Sequence, residues 1–325
     1  MPKVAIAMAV FDDARYLALA LDALCAQTFR DFHLTVHDDG STDGSAALAE
    51  SYAGRLPIAV VRGEHRGRHH AKQASWAAAA PSPYLMVLDS DVAPPPDAIG
   101  RMVERLDADP AVAAVSARTI AHRGRPLGPS QGFLERFFFE VNGGAAEEGR
   151  WIAGNCTMLR RSALAGLEVR ADLGEDNDLS EKLRGRWRLL APPDLVADHY
   201  GVPTTLGGVL RRFDREGVRV RSLVRAYPGA RQLGNVARLV PLPLCAVALA
   251  GALLRQGWLV AACGAALAAY LGAFLAASRK VGAPLGERLA GAALFAFGNL
   301  GFGVGYCREA LRGRTGLMRE PARRF

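Results

Sequence analysis

The chain has 325 residues, of which half are hydrophobic, and it carries a formal net charge of +8 at pH 7. Its length excludes a small domain held together by disulfides, and its five cysteines are scattered without the C-x-x-C spacing of a metal site. The basic residues are in excess only after residue 200, where the chain is also apolar. This pattern favours an anionic membrane surface as a partner, and we expect no nucleic acid partner.

Apolar runs and helix-like segments alternate through the first hundred residues. Residues 4–10, 32–37, 58–61 and 84–88 are predicted strands, and the segments between them have the amphipathic or alanine-rich character of helices. This alternation predicts an α/β fold with a doubly wound, mainly parallel sheet whose strands all end at one edge. The first strand begins without the apolar core of a signal peptide, so we expect the first 200 residues in the cytoplasm.

Aspartates follow two of these strands, Asp38 and Asp39 after the second and Asp89 and Asp91 after the fourth. Residues two apart on a strand share a face, so Asp89 and Asp91 together predict a site for Mg²⁺ or Mn²⁺, which in turn binds a diphosphate. Considered alone, each of these motifs has an alternative interpretation, in which the aspartates are solvated residues of a turn. Four carboxylates at one edge repel each other, however, and favour a cation or hydrogen-bond donors there.

Five motifs occur in order along the chain. They are Asp-Asp-Gly-Ser-Thr-Asp at 38–43 within an opening segment 3–45, the segment 67–74, Leu-Asp-Ser-Asp at 88–91, the segment 154–161, and Gly-Glu-Asp-Asn-Asp-Leu at 174–179. Together they resemble family 2 glycosyltransferases of the GT-A fold, in their membrane-anchored bacterial form. The resemblance covers about residues 3–220 and implies a catalytic GT-A domain over 1–205 that binds a UDP- or GDP-sugar.

The resemblance implies roles for residues around the donor nucleotide. Ala9 and Phe11 would line the nucleobase pocket, and Asp38 or Asp39 would bind the edge of the base, with Asp39 preferred. Lys72 stands where the family usually has Arg, and it would lie near the phosphates without the bidentate fork of an arginine. Without the resemblance, Lys72 would be interpreted as a solvated cation at a helix start.

Further residues would act where the sugar is transferred. The resemblance implies that Asp89 contacts ribose or metal, that Asp91 ligates the metal and that Asp176 is the catalytic base. A base opposite the leaving diphosphate takes the proton of an attacking hydroxyl, and this single displacement inverts the anomeric carbon. A polyprenyl phosphate is already anionic and needs no base, so Asp176 favours a hydroxyl acceptor.

Two residues are predicted on the acceptor side, Trp151 for stacking on a sugar and Glu175 beside the base. A phenylalanine-rich segment at 132–141 is a further candidate for this side. The alternative for the acids at 175–178 is that they only complement the dipole of the helix that follows.

Residues 206–238 form a predicted basic interfacial segment. Polysaccharide synthases of the family carry Q-x-x-R-W here, whereas this chain has Arg212 at the Gln position and Glu216 at the Trp position. This departure puts processive synthesis in doubt. Arg212 and Arg215 would clamp the diphosphate, and the compatible alternative is that the arginines of this segment face anionic lipid headgroups.

Three uncharged apolar runs follow, at 239–254, 258–277 and 290–306. They predict a transmembrane region over 239–307 with two to three helices, and three full spans are preferred over two spans and one re-entrant segment. Residues 308–325 form a basic tail. Small residues allow helices to approach closely, and we expect such contacts at four glycines of the last run, Gly298, Gly301, Gly303 and Gly305.

These observations predict an inverting, metal-dependent glycosyltransferase that moves a sugar from a nucleotide-sugar donor to a hydroxyl of a lipid-linked or cell-surface glycan. We expect it in the inner membrane, multi-pass, with the catalytic domain facing the cytoplasm. The alternatives are a polyprenyl-phosphate glycosyl synthase and a non-catalytic membrane protein with a transferase-like domain. An aspartyl phosphatase is excluded because Ala93 stands where that motif requires Thr or Val.

Overall fold

The structure, a computed structural model, describes residues 1–121, 148–149, 151–170, 173–203, 205–229, 237–281, 283–312 and 323–324. They form two units. The first contains the described residues up to Val202 together with 323–324, and the second contains the described residues from Pro203 to Arg312. The phenylalanine-rich segment at 132–141 lies outside the described residues.

The first unit contains short strands alternating with helices. Its strands are β1 Val4–Val10, β2 Phe32–Asp38, β3 Ile58–Arg62, β4 Tyr84–Leu88, β5 Val92–Ala93, β6 Val112–Ser116, β7 Arg118–Ala121, β8 Cys156–Arg160, β9 Glu168–Val169, β10 Arg188–Leu190, β11 Val196–His199 and β12 Arg323–Arg324. Its helices are α1 Ala14–Cys25, α2 Ser45–Glu50, α3 Arg68–Ala78, α4 Ala98–Ala108, α5 Arg161–Leu164 and α6 Glu175–Leu183.

Seven strands form the main sheet in the order β10-β6-β8-β4-β1-β2-β3. Strands β4, β1, β2 and β3 are parallel, which confirms the predicted doubly wound arrangement, and Val10 at the end of β1 lies opposite Asp38 at the end of β2. Strand β8 runs antiparallel to both β4 and β6, with Cys156 opposite Leu88. The residues just before β8 therefore lie at the edge where β4 ends.

Both faces of the main sheet are covered, as expected for parallel strands. One face packs Ile6 and Met8 of β1 against α1, whose predicted apolar stripe is fully buried at Leu17, Leu21 and Leu24. On the other face, Ala5 and Ala7 pack in a cluster with residues of α3 and α6. Strand β4 is buried throughout, so its continuous apolar sequence is explained by burial on two sides.

A second sheet of three strands, in the order β5-β11-β7, lies next to the end of β4. Strand β5 begins at Val92, one residue after Asp91, and pairs antiparallel with β11 so that Val92 lies opposite His199. This pairing brings a residue more than a hundred positions away in the sequence to the acidic end of β4.

The second unit consists of helices α7 Leu206–Ala226, α8 Pro241–Leu253, α9 Gly257–Ala277 and α10 Leu285–Arg312, with a 3₁₀ turn at Ser278–Val281. The buried residues of α7 recur every three to four positions, at Val209, Phe213, Gly217, Val220 and Leu223. This stripe packs along α10, where Gly298 meets the Phe213 ring and a Cβ on Gly305 would overlap the carbonyl oxygen of Asp214. The predicted close contacts of the glycines occur within one chain.

Two helices in the described part of the second unit are long and apolar enough to cross a membrane. They are Gly257–Ala277, with a mean hydropathy of 2.1, and Leu285–Leu311, with a mean hydropathy of 1.4. The first predicted run forms a helix of only 13 residues, Pro241–Leu253. At 1.5 Å per residue it extends about 20 Å, which is less than the hydrocarbon thickness of about 30 Å. The preference for three full spans therefore does not fit the length of α8.

Candidate active site

Loops at the carboxyl ends of β1 and β2 are joined by side-chain hydrogen bonds to backbone. The carboxylate of Asp43 accepts from the backbone N–H of Ala14 at 2.8 Å and of Ser45 at 3.0 Å. The Ser41 hydroxyl accepts from the N–H of Asp12 at 3.0 Å, and the Asp12 carboxylate accepts from the N–H of Thr42 at 2.7 Å. The sequence around Asp43 thus ties two loops together and frames the edge of the sheet.

Asp89 is held by two cations. Lys72 Nζ lies 2.7 Å from Asp89 Oδ1, and Arg68 Nη2 lies 3.2 Å from Asp89 Oδ2. Burial alone would raise the pKa of Asp89, but the charges of Lys72 and then Arg68 outweigh it and hold the pKa below its usual value. Both carboxylate oxygens of Asp89 are occupied in this way, which favours Asp91 over Asp89 as a metal ligand.

Lys72 is not the solvated cation of the alternative interpretation, and its place near the phosphates stays a prediction. It is buried, and its Nζ also donates to the carbonyl oxygen of Gly154 at 2.7 Å, so it lies beneath the site rather than on its surface. The cation that projects outward is Arg68, whose side chain is 66% exposed while one of its nitrogens contacts Asp89. Arg68 was not predicted as a site residue, although it is the first residue of α3 and lies within the segment 67–74.

Asp91 faces His199. The Nε2 atom of His199 lies 3.3 Å from Asp91 Oδ2, and both side chains are partly exposed. The backbone N–H of Tyr200 donates to the carbonyl oxygen of Asp91 at 2.8 Å, and a Cβ on Gly201 would overlap the Asp91 carboxylate. No local sequence signal marks His199, because only the pairing of β5 with β11 brings it here.

The donor set of this pair fits a divalent cation. A carboxylate oxygen suits Mg²⁺ and Mn²⁺, and an imidazole nitrogen beside it favours a transition metal. Among the described residues no group of three His, Cys, Asp or Glu side chains could hold a metal ion alone. Further ligands would therefore have to come from the phosphates of a donor and from water.

Asp39 is fully buried, and its carboxylate binds the backbone of the two residues before α3. Oδ1 accepts from the N–H of Arg66 at 3.0 Å, and Oδ2 accepts from the N–H of Gly67 at 2.9 Å. Asp38 is also buried, and its carbonyl oxygen accepts from the N–H of Gly63 at 2.8 Å. Both acids thus support the loop before α3, and binding of a nucleobase edge by either stays a prediction.

Phe11 and Ala9 lie at the end of β1, and their role in a nucleobase pocket stays a prediction. Ala9 is half-buried, whereas Phe11 is 44% exposed just beyond the strand. The Phe11 ring stacks on the imidazole of His65, with centroids 3.9 Å apart and planes 28° apart. An exposed aromatic ring therefore lies near the buried carboxylate of Asp39, whose Oδ2 is 3.0 Å from His65 Nδ1.

The acids at the start of α6 lie beside the segment before β8. Asp176 is half-buried, and its carboxylate lies so close to Gly154 that a Cβ there would come within 2.9 Å of Oδ2. Glu175 is buried with Oε1 3.0 Å from His69 Nδ1. Burial would raise the pKa of Glu175, but the hydrogen bond from His69 and the charge of Lys72 outweigh it and lower the pKa.

Helix α6 begins at Glu175, so both acids lie in its first turn, as the dipole alternative requires. That geometry does not exclude catalysis, because Asp176 also lines a cavity of about 10 Å³, shared with Lys72 and Gly154. Such a volume holds about one water molecule.

On the predicted acceptor side, the guanidinium of Arg184 lies 4.7 Å from the centre of the Trp151 ring. One face of Trp151 is therefore covered, and stacking of a sugar on the other face stays a prediction.

Asp13 is a site residue that sequence reasoning missed. Its Oδ2 accepts a hydrogen bond of 2.6 Å from the hydroxyl of Ser90, the residue between Asp89 and Asp91. Burial, opposed in part by this hydrogen bond, and the nearby charges of Asp91 and other carboxylates raise the pKa of Asp13 to about 6. The signal was the acid pair directly after the first strand.

Arg212 and Arg215 lie on α7, in the second unit. Arg212 Nε is 3.7 Å from Glu216 Oε1, and Glu216 Oε2 is 2.8 Å from Arg238 Nη2. The glutamate at the Trp position of the processive motif therefore neutralises arginines within its own unit. A contact of Arg212 or Arg215 with the diphosphate stays a prediction.

The sequence matches the model of Glycosyl transferase family 2 over residues 5–167, about half of the chain. The undecaprenyl-phosphate 4-deoxy-4-formamido-L-arabinose transferase of Klebsiella pneumoniae (strain 342) is 31% identical over 111 residues, which cover 32% of this chain and 34% of that protein. The transferase of the same name from Pseudomonas aeruginosa (strain LESB58) is 34% identical over 87 residues, covering 26% and 25%. The chain thus spans about a third or less of these relatives.

One solved structure is similar over most of its length. Mannosyltransferase PcManGT from Pyrobaculum calidifontis, in complex with GDP-Man and Mn²⁺, matches with a TM-score of 0.57 and 21% identity over 91% of this chain and 86% of that chain. The likeness shows a shared fold and agrees with the mainly parallel sheet described above. The family match shows that the chain belongs to glycosyl transferase family 2, and its mainly parallel α/β sheet is typical of the GT-A fold.

Proposed function

We propose that the protein is a metal-dependent, inverting glycosyltransferase that moves a sugar from a UDP- or GDP-sugar to a hydroxyl of a lipid-linked or cell-surface glycan. The observation that carries the proposal is the contact between Asp91 and His199 beside the cation-held Asp89, at the edge where the strands end. In open α/β sheets this edge is where ligands bind. A carboxylate and an imidazole at this place suit a metal that binds a diphosphate.

Asp91 and His199 would hold the metal, and Mn²⁺ suits this pair better than Mg²⁺ because one donor is a nitrogen. When bound, the metal supplies Lewis-acid stabilisation of the negative charge on the leaving diphosphate. Arg68 is the protein's own contribution to the same task, because its exposed guanidinium can contact a phosphate while Asp89 holds it in place. Asp13 would keep Ser90 fixed between the two carboxylates.

Asp176 would take the proton from the attacking hydroxyl. Its carboxylate lies against Gly154, whose carbonyl oxygen accepts from Lys72, and the same Lys72 pairs with Asp89. The proposed base and the acids at the end of β4 are therefore connected through one buried lysine. Proton removal by a carboxylate is general-base catalysis, and attack opposite the leaving group inverts the anomeric carbon.

A second candidate is transfer to a polyprenyl phosphate. It is favoured by the names of the curated relatives, which act on undecaprenyl phosphate. An anionic phosphate acceptor needs no base, so under this candidate Asp176 would only support the start of α6. The two candidates differ in the acceptor and in the effect of removing the Asp176 charge.

The second unit would hold the enzyme at the inner membrane with its catalytic unit in the cytoplasm. Two apolar helices of sufficient length and the arginines on α7 support this proposal. A lipid-linked acceptor would then be presented to the catalytic unit by the membrane itself.

The test is turnover of UDP- and GDP-sugars by membranes that contain the full chain, with Mn²⁺ or Mg²⁺ and a lipid extract as acceptor. We expect Asp91→Asn and His199→Ala to lose the metal-dependent activity. Asp176→Asn should lower transfer about 100-fold or more while nucleotide binding persists. Asp31→Asn changes an exposed aspartate away from these contacts and serves as the control.

The outcomes separate the candidates. If Asp176→Asn keeps most of the transfer, the acceptor is a phosphate and the hydroxyl proposal is wrong. If Asp91→Asn and His199→Ala retain full activity with metal present, the proposed metal site is wrong. If the wild-type protein consumes no donor in the panel, the catalytic proposal itself fails.

A further inference from the structure

His65 fills a position next to an aromatic ring and a carboxylate. Its imidazole stacks on the Phe11 ring with centroids 3.9 Å apart, and its Nδ1 lies 3.0 Å from Asp39 Oδ2. Two rings this close leave no room for a third between them. The face of Phe11 that stacks on His65 and the side of Asp39 that contacts it are therefore both covered by the same side chain.

These two contacts are the ones that an aromatic heterocycle with a ring N–H would make. Stacking on an aromatic ring and donation of an N–H to a carboxylate are available to a nucleobase as they are to imidazole. The carboxylate of Asp39 is buried, with a side chain that is 1% exposed, and each oxygen already accepts a backbone N–H, from Arg66 or Gly67. His65 is the exposed group in this contact, with a side chain that is 55% exposed.

The backbone around His65 is fixed, so only its side chain is free to leave. The N–H groups of Arg66 and Gly67 are bound by Asp39, and the N–H of Gly63 is bound by the Asp38 carbonyl oxygen. Gly40 has a φ of +80°, and a Cβ there would lie 2.8 Å from the backbone N of His65. Displacement of the imidazole therefore requires a change of rotamer and not a movement of the loop.

We infer that His65 is a displaceable placeholder for the nucleobase of the donor. It covers Phe11 and Asp39 in the free protein, and the base must displace it to make the same stacking and hydrogen-bonding contacts. This inference rests on the proposed nucleotide-sugar donor. The contacts of His65 with Phe11 and Asp39 thus oppose nucleotide binding and lower the affinity for the nucleotide. Once displaced, His65 makes no contact with the bound base.

The test is the Kd of UDP and of GDP for the full chain in lipid nanodiscs with Mn²⁺, for wild type, His65→Ala and Glu64→Ala. Loss of a stacked pair and its hydrogen bond should lower the Kd of the better-bound nucleotide about three- to tenfold in His65→Ala. Glu64→Ala removes an exposed neighbour on the same loop and should leave this Kd unchanged. The Kd of inorganic pyrophosphate, which has no base, should be equal in all three proteins.

The possible results are distinct. Weaker or unchanged binding of the nucleotide by His65→Ala overturns the placeholder, and weaker binding would instead make His65 part of the base pocket. An equal gain in affinity for pyrophosphate also overturns it, because the effect would then not depend on the base. If neither nucleotide binds to the folded wild type or to His65→Ala, the proposed donor fails and the placeholder fails with it.

Discussion

The first unit holds its carboxyl edge together with buried charged side chains, whereas the second unit packs its helices closely at glycines, beside apolar side chains and partly exposed ion pairs. In the first, Lys72 connects Asp89 to a carbonyl oxygen and Asp39 binds two backbone N–H groups. In the second, α7 meets α10 at Gly217 and Gly305, with backbone against backbone. Buried charge fixes positions in the first unit, whereas in the second unit close helix packing does so together with ion pairs such as Arg308–Asp214.

The difference indicates what each unit requires. A site that binds a charged donor needs cations and acids held at fixed places. Hydrogen bonds to charged groups hold them there, and these bonds are stronger where the groups are buried. Helices in or near a membrane gain little from burying apolar surface, so close packing of small residues has to hold them. This difference is tested by removing a buried charge from the first unit and by adding a side chain at a glycine of the second unit.

The largest effect on stability is expected for Lys72→Met. The change leaves Asp89 without its main cation and a buried carbonyl oxygen without its donor, and breaking a buried pair costs about 3–5 kcal/mol. The matched control is Lys3→Met, which breaks an exposed pair with Asp107 of similar length and should cost at most about 1 kcal/mol. Denaturant or thermal unfolding of both variants measures the difference. Equal effects of the two variants would contradict the buried role of Lys72.

A smaller effect is expected for Gly217→Ala in the second unit. The added methyl would meet the carbonyl oxygen of Phe302, so α7 and α10 must separate, at a cost of about 1–3 kcal/mol. Gly264→Ala on α9 is the control, since no atom lies within 4 Å of the Cβ position there. Thermal stability in detergent is the measurement. A Gly217→Ala variant as stable as Gly264→Ala would show that the two helices do not pack as described.

The smallest effect concerns Asp13 and pH. Its pKa is raised to about 6 in the folded chain, so the folded state keeps a proton that the unfolded state releases. The stability from this group is therefore complete below about pH 4 and is lost as the pH rises to about 6. Allowing for solvent screening of this partly exposed group, the change is about 1–2 kcal/mol.

The measurement for Asp13 compares wild type with Asp13→Asn in EDTA, between pH 4 and 7. The difference in unfolding free energy should shift in favour of the variant by this amount as the pH rises, and Asp31→Asn should show no such shift. A constant difference between wild type and Asp13→Asn across the range would mean that the Asp13 carboxyl titrates in its ordinary range.

Local sequence patterns were sufficient for the elements of the first unit. Strand β4 was predictable because five apolar residues in a row require burial on both faces, and α1 because its leucines recur at helical spacing. The acids at the strand ends followed from the direction of parallel strands. The antiparallel insertion of β8 was not predicted, since its apolar sequence fits either direction.

The partners of the site residues could not be predicted in the same way. His199 reaches Asp91 through strand pairing across 108 positions, and Lys72 reaches Gly154 across 82. The family resemblance placed Lys72 near the phosphates, whereas its burial against Asp89 depends on the assembled sheet. The two candidate spans were predictable from composition, but the 13-residue length of α8 depended on where the helix begins and ends.

The short segment before β8 has a consequence for how this enzyme can change. The backbone carbonyl oxygen of Asn155 accepts a hydrogen bond from the N–H of Asp89 at 2.9 Å, and the neighbouring Gly154 contacts both Lys72 and Asp176. These two consecutive residues therefore lie between Asp89, just after β4, and Asp176, the proposed base, and determine the distance between them. We expect an insertion or deletion at 154–155 to change the distance between Asp89 and Asp176, the proposed base, whereas changes in the surrounding loops would leave this distance unchanged.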